Sequence, residues 1–135
     1  MNGPPESAAT EARRWLRWAR EDLTLAKHAN ADPEVVHRGA CTWAHQAAEK
    51  ALKALLVADD IDPPKVHDLV RLAEMMSPAI RREITDLDLA GLTRWAIAGR
   101  YPGDIDEASA EDAKTAIAIA TSVMQVADAA LIPGG

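Results

Sequence analysis

The chain has 135 residues, 48% of them hydrophobic, with no Phe, one Tyr and one Cys. That length supports one hydrophobic core, and an Ala-rich composition poor in aromatic residues favours packed helices over sheets. A formal net charge of −6 argues against broad, nonspecific nucleic-acid binding, the lone Cys41 excludes an internal disulfide, and no apolar run reaches bilayer length.

Residues 1–7 read as a disordered N-terminal tail. It lacks a basic region followed by an apolar one, so the expected location is cytoplasmic, with no membrane association. The first helix is expected from near Thr10 to Ala29, with Trp15, Ala19, Leu23 and Ala26 inward and Leu16 and Trp18 flanking them. Arg13, Arg14, Arg17 and Arg20 crowd it. They read as a solvated face, with Arg17 and Glu21 paired four apart, or as a local basic patch.

The longest element is expected over Asp32–Asp59, opened by an Asp32 N-cap, Pro33 in the first turn and Glu34 near the positive helix end. Ala40, Trp43, Ala44, Ala47, Ala51, Ala54 and Leu55 recur at helical spacing, and Ala48, Leu52 and Leu56 widen the apolar arc. Gln46, Glu49, Lys50 and Lys53 form a polar ladder on the other side, with Glu49 and Lys53 placed as an i,i+4 ion pair.

Ile61-Asp62-Pro63-Pro64 ends that helix. A short helix follows from His67-Asp68-Leu69 through Met76. Ser77-Pro78 caps the next, which carries Ile80, Ile84 and Leu87 and breaks near Thr85-Asp86. Leu89, Leu92, Trp95 and Ala96 form another buried stripe, with Asp86 and Asp88 as capping or solvated acids. Gly99-Arg100-Tyr101-Pro102-Gly103-Asp104 is the strongest turn signal. The last helix starts at Ser109, with Asp112 three residues on as a capping-box partner, and ends at Pro133.

The residues offer few centres for chemistry. His37, Cys41 and His45 share a helix face, but eight helical residues span roughly 12 Å, so the outer two do not reach one ion. No phosphate loop, nucleophile elbow, calcium loop or other metal motif is present, and no cofactor is expected. Arg100-Tyr101 differs in kind. A guanidinium suited to phosphate and the only phenol, suited to stacking on a base, lie together in one turn.

Ala40-Cys41-Thr42-Trp43-Ala44-His45-Gln46-Ala47-Ala48-Glu49-Lys50-Ala51-Leu52-Lys53-Ala54-Leu55-Leu56 resembles the signature helix of HEPN domains (higher eukaryotes and prokaryotes nucleotide-binding). His67-Asp68-Leu69 and then Arg100-Tyr101-Pro102 follow in that family's order, and Trp15, Ala19, Asp22-Leu23 and Ala26 also fit. The chain departs from the pattern at Thr42-Trp43, often an aromatic then a histidine, and at His45, often a glutamine.

The resemblance implies an all-α, up-and-down bundle of four to five helices over 8–132, commonly a homodimer. It implies association with a nucleotide or RNA, often beside a minimal nucleotidyltransferase partner in a toxin–antitoxin or defence setting. It places His67, Arg100 and Tyr101 near one bundle face, with Lys53 as a further member of that site. The alternatives are a metal-independent RNA-cleaving toxin and a structural dimerisation module. For cleavage, Arg38 and His45 match the family's Arg–His spacing, but Gly39 follows the arginine, and the pair falls on the signature helix, earlier than in active relatives.

Overall fold

A computed structural model describes residues 7–96, 101–104 and 107–132, and these are all-helical, with no strand among them. The elements are α1 (Ala8–Ala31), α2 (His37–Ala58), α3 (Leu69–Glu74), α4 (Pro78–Ile84), α5 (Leu89–Thr93) and α6 (Ala110–Leu131), with a 3₁₀ turn at Pro102–Asp104. Three long helices make the body of the bundle, and the short α3, α4 and α5 close one side. Residues 1–6 of the expected tail lie outside the described residues, whereas Ser7 stands immediately before α1. Its hydroxyl accepts from the Thr10 amide and caps the helix.

α2 is the central element and packs on both α1 and α6. Ala40, Ala44, Ala47, Ala48, Ala51 and Ala54 are fully or almost fully buried. Small side chains let the axes approach closely, while Leu52, Leu56, Leu69, Leu72 and Leu92 fill the wider interior. On α1, Leu16 is in the core and Trp15 only packs against it. This corrects the expected order of the two, since Leu16 and Ala12 lie with Ala19, Leu23 and Ala26 on the buried stripe and Trp15 lies at its edge.

α2 starts later than its sequence suggests. The Asp32 carboxylate accepts from the Glu34 amide (2.9 Å), and the Asp32 carbonyl accepts from Val35 (3.1 Å). Asp then Pro at the first two positions is a favoured β-turn pair, so Asp32-Pro33 turns the chain. Val36, in extended conformation, becomes the N-cap. The later signals hold as expected. Asp68, Ser77 and Asp88 cap α3, α4 and α5, and Ser109 with Asp112 forms a complete capping box on α6. Gly91 meets a local demand, since a Cβ there would stand 2.2 Å from the Asp88 carboxylate that caps α5.

The polar ladder is the main correction. The Glu49–Lys53 pair forms as expected, but it is buried rather than on an open face, because the chain after α2 folds back over the side left open by α1 and α6. The expected Arg17–Glu21 pair is not formed among the described residues. Arg20 instead bonds Asp128 on α6, and Lys50 bonds the buried Asp22 on α1. These two bridges tie α1 to each of its long neighbours.

Candidate functional site

The turn that ends α2 delivers the chain to the site. The Asp60 amide donates to the Val57 carbonyl and the Ile61 amide to the Leu56 carbonyl, both at 2.9 Å. These are the paired bonds of a Schellman motif, which places its pivot residue in the left-handed region. Asp60 takes that place with φ 61°, where glycine is the usual choice. Pro63-Pro64 then keeps the chain extended, and the Val66 amide closes onto the Pro64 carbonyl at 2.8 Å. The next residue, His67, is laid against α2.

Three side chains on α2 receive it. His45, Glu49 and Lys53 stand four apart on a single helical row. His45 Nε2–H donates to the His67 main-chain carbonyl at 2.8 Å. His67 Nδ1–H donates to Glu49 Oε1 at 2.8 Å, and Lys53 Nζ donates to Glu49 Oε2 at 3.1 Å. Both oxygens of one buried carboxylate are thereby engaged, one by an imidazole and one by an ammonium. Glu49 and Lys53 side chains are only 7% and 8% exposed, whereas that of His67 is 46% exposed.

The backbone bond assigns the His45 tautomer, because a nitrogen facing a carbonyl must carry the proton. Nδ1 is then an unprotonated nitrogen, and it is buried with no hydrogen-bond partner. Burial lowers the pKa of His45, partly opposed by the His67 carbonyl and the Glu49 charge. A neutral His45 is thus a fixed donor that holds the backbone from which His67 reaches Glu49. Beyond it the Leu69 amide donates to Thr93 Oγ1 at 3.0 Å, and that hydroxyl donates to the Leu89 carbonyl at 2.9 Å. These bonds join the start of α3 to the end of α5, just before the connection that carries the Arg-Tyr pair.

Of the four sequence-predicted site residues, the fold brings Lys53 and His67 together through Glu49. Tyr101 is 77% exposed and makes no hydrogen bond or ring contact among the described residues. Arg100 lies outside the described residues. The Arg38–His45 pair does not flank a phosphate, since Arg38 is on the surface while His45 is fully buried and bonded inward. Cys41 is also buried, and its pKa is pushed up to about 11 by that burial and then by Asp112, so it stays a thiol. No group of three or more potential metal-ligating side chains gathers among the described residues.

From spacing, Glu49 stands in a polar ladder and His45 pairs with Arg38, and neither is placed beside His67. The signal was available in α2 itself: its apolar residues cover so much of the circumference that charges on the remaining row face either solvent or a returning chain. A groove of about 320 Å³ beside the cluster, between α3, α4 and α5, is lined by Val70, Ala73, Ile84 and Leu89 with Glu74 and Arg81. It includes none of the four predicted residues.

The model of one protein family, the HEPN domain, matches residues 12–129. Comparison with curated proteins gives no match, and comparison with solved structures gives none.

Proposed function

The chain belongs to the HEPN domain family, whose domains serve nucleotide- and RNA-related functions, and from that premise we propose that it binds the phosphate of a nucleotide or RNA end beside His67. The single observation that carries this reading is the doubly engaged Glu49 carboxylate. It holds the Nδ1 edge of the His67 ring while about half of that side chain stays exposed. Glu49 and Lys53 cancel in formal charge, so the buried carboxylate sets no net negative charge against an anion beside His67. Arg100 completes the site as a forked phosphate donor and Tyr101 as a stacking or hydrogen-bonding group.

Calorimetric titration with AMP and with a 5′-phosphorylated oligonucleotide tests the assignment. His67→Ala and Arg100→Ala should each cost about 1.5–3 kcal/mol of binding, typical of a charge-assisted hydrogen bond. Unchanged affinity in a folded variant removes that residue from the site.

The protein further acts as a homodimer with a partner such as a minimal nucleotidyltransferase, in a toxin–antitoxin or defence setting. Support for association comes from the exposed apolar side chains Leu25, Val36 and Trp43 on α1 and in the cap and first part of α2. Light scattering that finds only monomer at tens of micromolar, about where weak interfaces begin to dissociate, counts against it.

A second reading, metal-independent RNA cleavage, is favoured by the same Glu49–His67 bond. A carboxylate that fixes an imidazole prepares it for general acid–base work. Incubation with single-stranded RNA in chelator, followed by a search for cyclic-phosphate ends, decides it. Cleavage that is lost in His67→Ala supports this reading, and an absence of cleavage leaves binding alone.

A further inference from the structure

Away from the His67 cluster, positive charge is most concentrated on α1. Arg13, Arg14 and Arg17 line, with Thr10, a groove of about 360 Å³. The chain holds 21 acidic against 15 basic residues, so three guanidinium groups in one groove run against its overall charge. Neighbouring charges are already engaged: Arg20 with Asp128, and Asp22 with Lys50. Arg13 and Arg17 are exposed and have no ion-pair partner among the described residues.

Directly after Arg17 comes Trp18, 46% exposed. Its ring sits 6.5 Å from that of Trp15 and is tilted by 57° to it. A tryptophan is among the largest apolar side chains a protein can bury, so one braced by a second indole and still half open is a ready stacking surface. Arg13 and Arg17 stand one helical turn apart, about 6 Å of rise, a step suited to successive phosphates on an extended strand. Guanidinium groups that follow a backbone beside an aromatic platform are the two parts of a single-strand nucleic-acid site. A purely solvated helix face explains the arginines but not the open indole.

We propose that this face of α1 is a second binding site, for single-stranded nucleic acid, in which Arg13 and Arg17 hold the phosphate backbone and Trp18 stacks on a base. It takes the body of a strand, whereas the His67 site takes a phosphate end.

The test uses the whole chain with a fluorescein-labelled oligouridine, read by anisotropy over a salt series. AMP titrations run in parallel and report the His67 site alone. Loss of two phosphate contacts in the Arg13→Gln/Arg17→Gln double variant should reduce the slope of log affinity against log salt by about 1.4. Trp18→Ala should weaken oligouridine binding about ten-fold with the slope unchanged. Trp18→Leu, which keeps an apolar contact with Trp15, replaces it where helicity by circular dichroism is lost. AMP affinity should not change in these variants.

An unchanged slope in a folded double variant overturns the proposal, as does equally tight binding of polyglutamate, which would mark the face as an acidic-protein surface. Wild-type protein that binds AMP but no oligouridine overturns this site and spares the His67 reading. Arginine-dependent oligouridine binding without AMP binding does the reverse.

Discussion

α2 buries two kinds of surface, and they are held by different physics. Toward α1 and α6 it presents its buried alanines, whose contribution is area removed from water and close packing. Toward the returning chain it presents His45, Glu49 and Lys53, each at or below 8% exposure. There the same helix must compensate for desolvated charge with bonds of fixed direction. The alanine side tolerates other apolar residues of similar volume. The charged side has one arrangement, in which a carboxylate meets an ammonium and an imidazole. A buried ion pair is a poor source of stability, so its presence beside an exposed imidazole is better accounted for by the site it shapes.

The comparison can be broken most severely at Glu49. Glu49→Ala leaves the Lys53 ammonium buried without its carboxylate and should cost about 3–5 kcal/mol in urea unfolding. The double replacement Glu49→Leu/Lys53→Met should recover much of that loss without restoring the orientation of His67, so on the proposed reading AMP affinity should stay weakened. A single variant as stable as the parent would show that water reaches Lys53 and that the seam is not dry.

Next in size is the apolar side. Leu55→Ala, on the same helical row as Ala44, Ala48 and Ala51, removes a buried side chain and should cost about 2–5 kcal/mol, according to how far the site collapses. AMP affinity of the folded fraction should be unaffected. A large loss of affinity at constant stability would mean that the two surfaces are coupled.

pH separates the two surfaces without mutation. The folded-state pKa of His45 lies below the ordinary histidine value of about 6.5 because burial disfavours the cation. The unfolded chain therefore takes up the proton first as pH falls. The His45 contribution is fully present above about 6.5 and is lost as pH drops toward the folded value. His45→Gln retains an amide donor for the His67 carbonyl and removes the titration, so its stability should fall less between neutral and mildly acid pH. Parallel pH profiles for the two proteins would remove His45 as the cause.

Smaller effects are expected where caps frame the charged seam. Asp68→Ala takes away the acceptor for the Val70 and Arg71 amides and should cost about 1 kcal/mol. Asp60→Gly relieves a left-handed residue and should raise stability by a few tenths to about 1 kcal/mol. A decrease would show that the Asp60 side chain makes a compensating contribution.

Much of the fold was legible in the sequence because its signals are local. Helical spacing of alanine and leucine, the Ser77-Pro78 start, the Ser109–Asp112 box and the Pro63-Pro64 break each act within a few residues. Such signals locate helices whatever packs around them, and the signature stretch Ala40–Leu56 carried the family. Even at this level Asp32-Pro33 was ambiguous, since the same pair opens a helix or makes a turn. The outcome depended on the extended Val36 that follows.

The candidate site was legible only in part. His67 and Lys53 were named from the sequence, but spacing alone put Glu49 and Lys53 on a solvated face and made Arg38 with His45 a pair. Whether a helix row is wet or dry depends on what returns to cover it. That was decided far along the chain, by the left-handed turn at Asp60, the extended Pro63-Pro64 segment and the His45 bond to the His67 carbonyl. The sequence by itself determined which segments are helical and where they break. Only the tertiary structure decided which charges go inside, because burial is a property of all the neighbours at once and no local pattern records it.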